Sequence, residues 1–221
     1  NGCSFFDTII INQPTAISVT ETISDVSCNA GSDGAVTLNS SGGTGVLAED
    51  WGTVNPTQLS AGIYNYTITD ANQCTYTNGV TITDPSPIAV TETITNVSCN
   101  AGSDGAVTLN SSGGTGVLAE DWGTVNPTQL SAGIYNYTIT DANQCTYTNS
   151  VTITDPSPIT VTETITNVSC NGGNDGTATL IITGGTGVLT EDWGVNNPSS
   201  LSVGVYYYTV ADENGCIFSD S

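Results

Sequence analysis

The sequence predicts an all-β protein: a tandem array of small immunoglobulin-like Greek-key β-sandwiches with a 71-residue repeat. Three observations predict it. Cys28, Cys99 and Cys170 are evenly spaced, Cys3, Cys74, Cys145 and Cys216 share that spacing, and Trp51, Trp122 and Trp193 keep it too. Short runs alternate apolar with polar residues, whereas no window carries apolar residues at helical spacing. Clusters of Gly, Pro, Asn and Asp punctuate these runs, leaving room for roughly six or seven short strands per repeat, the layout of a small sandwich.

Within one repeat the elements follow in order. The run Ile88–Val97 is a first strand and Ala106–Asn110 a second, with Ser103-Asp104-Gly105 as the turn signal before the latter. Val117–Trp122 follows the Gly-Gly-Thr-Gly segment, and a short strand is expected around Thr128–Leu130 after Asn126-Pro127. In the best-patterned strand Tyr64, Tyr66 and Ile68 face one way and Asn65, Thr67 and Thr69 the other. Val80 and Ile82 alternate with Thr81 and Thr83 in the last one. Leu59 to Tyr64 places a Tyr behind a Leu and a Gly at the head of its strand, as in a tyrosine corner, and the arrangement recurs at Leu130–Tyr135 and Leu201–Tyr206. Trp51, Tyr64 and Tyr66 read as core residues ahead of a sugar-binding platform.

The alignment of the repeats suggests four segments: residues 1–13 as the last strand of a preceding repeat, 14–84, 85–155, and 156–221, which lacks most of its last strand. The stretch Cys28–Ser98 differs from Cys99–Ser169 only at Gly79 against Ser150 and Ala89 against Thr160, the mark of recent duplication. The ends look like cuts through a longer array. They also admit strand exchange, in which the first segment of one chain completes the last repeat of another.

Composition narrows the chemistry. The 221 residues include 21 Asp and Glu and no Lys, Arg, His or Met, for a formal charge of −21. Polyanionic nucleic acids and anionic lipid surfaces are bound through basic side chains, so neither is an expected partner, and no apolar stretch predicts direct membrane insertion. Histidine acid–base chemistry, lysine Schiff bases, arginine clamps and Lys–Asn isopeptide bonds are excluded. Glu49-Asp50, with its copies Glu120-Asp121 and Glu191-Asp192, resembles a glycosidase dyad. Adjacent strand residues point to opposite faces, so the two carboxyls cannot flank one bond. The expectation is a protein that is not an enzyme. Asn39-Ser40-Ser41, Asn65-Tyr66-Thr67 and Asp7-Thr8-Ile9 match short glycosylation patterns of low specificity.

Five separated blocks, in order, resemble the SprB-type repeat of Bacteroidota cell-surface proteins: Cys28 to Gly34, Gly42-Gly43-Thr44-Gly45, Trp51-Gly52, Leu59 to Tyr64, and Asp70-Ala71-Asn72-Gln73-Cys74. All three units carry the pattern. Val46 and Leu47 stand where such repeats usually have Pro and Tyr, and Gln73 where Gly is usual, although Gly2 and Gly215 keep it. The resemblance implies an extracellular, cell-surface array exported by the type IX system, with the mobile adhesin of gliding motility as the best-known relative. It also implies that any contact with surface polysaccharide, or with outer-membrane motility or secretion machinery, runs through other domains.

Seven regularly placed cysteines, without His or a Cys-x-x-Cys pair, point to disulfides rather than zinc. Two pairings remain open. Bonds within repeats would join Cys28 to Cys74, Cys99 to Cys145 and Cys170 to Cys216. An immunoglobulin-like topology puts Cys28 and Cys74 at opposite ends of one sandwich, and head-to-tail stacking then favours Cys28–Cys145 and Cys99–Cys216 between repeats. The same stacking sets Asp33 and Asp84 against Asp141 and Asn143, and Asp104 and Asp155 against Asp212. These oxygen ligands make calcium the candidate ion, beside the plainer reading of solvated, turn-forming acids.

The expected function is structural: a stalk segment of a long secreted adhesin or filament, whose partners are neighbouring repeats of the same or identical chains. A self-assembling fibre with strand exchange and a multivalent polysaccharide-binding module are the alternatives.

Overall fold

A computed structural model describes residues 2–221. Fifteen strands form among them, and no helix long and apolar enough to cross a membrane is present among the described residues. In the first repeat β1 (Ser18–Ser24) and β2 (Ala35–Ser41) make an antiparallel hairpin, with Ser18 opposite Ser41 and Ser24 opposite Ala35. β3 (Ala48–Asp50), β4 (Gly62–Thr69) and β5 (Thr75–Ile82) make an antiparallel three-stranded sheet with β4 at its centre. The second repeat copies this with β6 (Ala89–Thr95), β7 (Ala106–Ser112), β8 (Ala119–Asp121), β9 (Gly133–Thr140) and β10 (Thr146–Ile153). The third has β11 (Thr160–Thr166), β12 (Thr177–Thr183), β13 (Thr190–Asp192), β14 (Tyr208–Ala211) and β15 (Ile217–Asp220).

Each repeat is thus a two-layer β-sandwich, and the period-2 pattern decides what lies between the layers. Val26, Val36, Leu59, Tyr66, Ile68, Val80 and Ile82 form the core of the first repeat, with Trp51 packed on Tyr66 at 5.1 Å between ring centres. Thr81, between Val80 and Ile82, is exposed, as alternation requires. Burial of each aliphatic side chain contributes roughly 1.5–3 kcal/mol. One polar tie joins the layers: the Tyr66 hydroxyl donates to the Glu21 carboxylate of β1 at 2.5 Å, and the Asn78 side chain donates to the same carboxylate at 2.8 Å. Burial first, and then that bond to Glu21, pushes the Tyr66 phenol up to about 12. The predicted tyrosine corner forms in all three repeats, the hydroxyls of Tyr64, Tyr135 and Tyr206 donating to the carbonyls of Ser60, Ser131 and Ser202 at 3.0, 3.0 and 3.1 Å.

Five strands form per repeat rather than six or seven, for local reasons. Thr128–Leu130 contributes only a single bridge, Leu130 with Gly105, because the Asn126 side chain accepts the Thr128 N–H and the Gln129 N–H bonds to the Asn126 carbonyl, curling the chain. The strand expected over Val117–Trp122 shrinks to β8, since the Asp121 carboxylate takes the Gly123 N–H at 2.7 Å and closes a turn at Trp122. Residues 2–17 form no strand; Phe5, Phe6, Ile9 and Ile11 among them are exposed. At the turn after β2, Gly42 has φ +83°, and a Cβ there would collide with the Ala16 carbonyl oxygen, so only Gly fits.

The chain divides into two compact units. One comprises Asn1–Ala89, Ser112–Ala119 and Thr140–Thr146 and contains the first sandwich together with the Cys145 turn. The other comprises Val90–Ser111, Glu120–Ile139 and Tyr147–Ser221 and contains the buried hydrophobic residues of the second and third sandwiches.

Candidate functional site

Two kinds of turn carry the chemistry of each repeat. The first is Asp-x-Asn-x-Cys, between the last two strands. In the first repeat Asp70 is buried; its Oδ1 accepts the N–H groups of Asn72 and Cys74 at 2.9 and 2.8 Å, and its Oδ2 accepts the Thr44 N–H at 2.9 Å. One carboxylate therefore shapes this turn and clamps it to the Gly-Gly-Thr-Gly turn. Asp141 and Asp212 repeat the arrangement with Thr115, Asn143 and Cys145, and with Thr186, Asn214 and Cys216.

Ser-Cys-Asn, between the first two strands, is the second kind. The Asp33 carboxylate accepts the Ser27 N–H at 3.0 Å, Asp84 accepts the Ala30 N–H at 2.9 Å, and the Asn29 side chain donates to the Pro85 carbonyl at 2.9 Å. Asp104, Asp155 and Asn100 do the same around Ser98 and Cys99.

The two kinds of turn are covalently joined. Cys28 is bonded to Cys145 and Cys99 to Cys216, with Cα separations of 5.6 and 5.5 Å and a sequence separation of 117 in both. Each bond lies inside one of the two compact units. Beside it the Asn143 side chain donates to the Ser27 carbonyl at 3.0 Å, and Asn214 donates to Ser98 at 3.0 Å. The cysteines within one repeat do not pair with each other. Cys28 lies after β1 and Cys74 before β5, at opposite ends of the strands, and Cys74 stays free and exposed, as do Cys3 and Cys170.

The acids proposed as calcium ligands are at these turns, but their oxygens hold main-chain and side-chain N–H groups. Among the described residues no group of three or more His, Cys, Asp or Glu side chains is placed to hold a metal ion. Asn143 presents its amide N–H to Ser27, so at that contact it acts as a donor. Glu49 and Asp50 are exposed, and Asp50 caps its own turn through the Gly52 N–H at 2.8 Å. The donor role of Asn143 and Asn214 was not read from sequence. Its trace there is the Asn-x-Cys spacing that every copy keeps.

The capping carboxyls have titration consequences. The Cys74 amide, against the opposing effect of burial, holds Asp70 below the usual carboxylate range, and at Asp141 burial opposes the charge but is outweighed by the amides of Thr115, Cys145 and Asn143. A carboxyl with a lowered folded value stabilises the fold above its unfolded value and loses that contribution as pH falls through the folded one. The melting temperature is therefore expected to fall as pH drops below about 4, the unfolded Asp value. Replacing Asp70, Asp141 and Asp212 by Asn should flatten that acid limb. A melting temperature that rises steadily from pH 4 to pH 2 would show that relief of charge repulsion dominates instead.

Backbone conformation at the same turn yields a second expectation. Gln73 and Gln144 have φ of 66° and 67°, the left-handed region, where Gly215 stands in the third copy. Gln144→Gly should stabilise the chain by about 1 kcal/mol, read from urea unfolding, because a side chain costs roughly 1–2 kcal/mol in that conformation.

Comparison with known proteins adds a family. No curated protein and no solved structure matches the chain. The family model of the SprB repeat matches residues 20–46, 91–117 and 162–190. Each matched segment covers most of the first hairpin of a sandwich, its Ser-Cys-Asn turn and the whole Gly-rich turn that the buried Asp clamps. SprB repeats mark adhesin-like proteins of the cell surface, a setting that two disulfides fit. The chain is an all-β tandem array in which one segment of each of the three repeats matches the SprB repeat.

Proposed function

We propose that the chain is a stalk segment of a secreted adhesin, an extended spacer that carries load between a cell surface and a distal domain. The observation that carries this reading is the pair of disulfides joining each repeat to the next through turns rigidified by buried carboxylates. A covalent tie between neighbours limits both bending and unravelling, which are the demands on a stalk. The acidic surface supports the same reading, since like-charged arrays repel one another within the screening length of about 8 Å and offer no cation to polyanions. Export by the type IX route and a part in gliding enter through the family. The role is mechanical, and catalysis has no part in it.

Electron microscopy of the purified chain tests the proposal. Stiff particles with about 35–40 Å of length per repeat are expected in the oxidised state, the length of strands of seven to nine residues plus turns. Particles that are compact and unchanged by reductant would overturn it. A glycan array addresses the polysaccharide reading, and specific binding there would replace the stalk by a multivalent receptor. Calcium at the cross-linked turns would have to compete with the N–H donors described above; a calorimetric titration that releases or absorbs no heat removes the ion from the proposal.

A further inference from the structure

Among the described residues, four that are not Gly have left-handed φ: Ala30 and Ala101 at 58°, Gln73 at 66° and Gln144 at 67°. That conformation is costly for any residue with a Cβ. All four side chains are exposed, so none of them offsets the cost by packing in the core. The third repeat has Gly172 and Gly215 at the matching positions, and a Cβ built on either meets no atom within 4 Å. Neither space nor burial therefore explains why the first two repeats forgo Gly. Strain that packing does not account for points to function.

What the four share is the residue before them. Each follows an Asn, namely Asn29, Asn100, Asn72 and Asn143. Three of these hold the cross-linked turns with their side-chain amides: Asn29 donates to the Pro85 carbonyl at 2.9 Å, Asn100 to Pro156 at 2.9 Å and Asn143 to Ser27 at 3.0 Å. An Asn side chain is chemically vulnerable to its own successor. The next main-chain nitrogen, once hydroxide has taken its proton, attacks the Asn Cγ; a C–N bond forms, the bond to Nδ2 breaks, and ammonia leaves with a proton from water. Water then opens the resulting succinimide ring at either carbonyl, giving Asp or isoaspartate, so one amide and one water become one carboxyl group and one ammonia. A Cβ on the successor crowds this ring closure, whereas Gly leaves it open.

We infer that Ala30, Ala101, Gln73 and Gln144 are kept in a strained conformation because they protect these Asn amides, and that Asn214, followed by Gly215, is a site of spontaneous deamidation. The turns of Asn143 and Asn214 are otherwise built alike. The Gln144 N–H bonds to the Asp141 carbonyl at 3.1 Å and the Gly215 N–H to the Asp212 carbonyl at 3.0 Å, and both Asn residues are exposed. Deamidation reverses what Asn214 does. Its amide donates to the Ser98 carbonyl at 3.0 Å, and a carboxylate in its place sets one acceptor against another. IsoAsp also lengthens the main chain by one methylene inside the turn whose Asn214 and Cys216 N–H groups the Asp212 carboxylate gathers at 2.9 Å each. The Cys99–Cys216 bond then joins the turns with their hydrogen bonds weakened. The contact at Ser98 is therefore one that ages, whereas its counterpart at Ser27 is durable. The inference does not rest on the stalk proposal, since the reaction depends on the turns alone.

The experiment keeps the full oxidised chain in warm neutral buffer for weeks and follows each Asn by mass spectrometry of chymotryptic peptides, with isoaspartate separated from Asp by chromatography. Asn214 is expected to convert roughly tenfold faster than Asn143 in the same molecules, since the residue after it has no Cβ. Gln144→Gly should bring Asn143 up to the rate of Asn214, Ala101→Gly should raise the rate at Asn100 in the same way, and Gly215→Gln should protect Asn214. Fresh Gln144→Gly protein should melt no lower than the parent chain, and only the aged sample should lose stability, which separates chemical protection from a role in folding. Equal rates at Asn143 and Asn214, an Asn143 rate unmoved by Gln144→Gly, or an intact Asn214 after the same residue has converted in a urea-unfolded sample would overturn the inference.

Discussion

Pulled by handles at its two ends, with Cys3, Cys74 and Cys170 replaced by Ser, the oxidised chain is expected to extend to little more than a third of the length of the reduced one. The two disulfides close overlapping loops, Cys28 to Cys145 and Cys99 to Cys216. Tension entering at one end passes through the first sulfur bridge to Cys145, back along the stretch to Cys99, and through the second bridge to Cys216. Only that stretch and the two short tails can be drawn out, whatever unfolds. At roughly 3.4 Å per extended residue this limits the contour to about 270 Å, against about 750 Å once both bonds are reduced. Single-molecule force spectroscopy with and without reductant measures the difference directly. Equal contour lengths in the two states would rule out this pairing of cysteines.

The second large effect is thermodynamic. Each disulfide closes a loop with a sequence separation of 117. In the chain-entropy treatment such a loop stabilises the fold by up to about 5 kcal/mol. Small sandwiches have little core to set against that, because domains of this size bury a smaller fraction of their surface on folding. Replacing Cys28 and Cys145 together by Ser should therefore shift the urea midpoint strongly downward, and replacing all four bonded cysteines should leave the array marginal or unfolded. A loss below about 1 kcal/mol per bond would mean that the unfolded chain gains little freedom on reduction. The bonds would then serve extension alone.

Much of this was legible in the sequence because repetition multiplies a weak signal. The alternation at Tyr66, Ile68, Val80 and Ile82 fixes which face is buried, and each of these side chains is in the core. Tyr64 and the Leu before it mark the corner, which forms in every copy. The pairing of Cys28 with Cys145 was one of two left open; placing the two turns at opposite ends of one sandwich favoured it, and the structure has it. Strand lengths were less legible. Trp122 and Thr128 belong to good β-formers, yet Asp121 and Asn126 use their side chains to turn the backbone away, a competition that composition does not score. The acids were the least legible. As a sequence feature, Asp141 beside Asn143 suggests ligands for a cation, but in the fold the Asp oxygens hold amide N–H groups and the Asn donates.

The sequence by itself determined the class of the protein: all-β, modular, acidic and without basic side chains, with cysteines in two recurring turns. Those properties follow from periodicity and composition, which need no knowledge of distant contacts. Only the tertiary structure decided what the turns do, because a carboxylate's role depends on which N–H groups reach it and a cysteine's on which turn lies about 5.6 Å away.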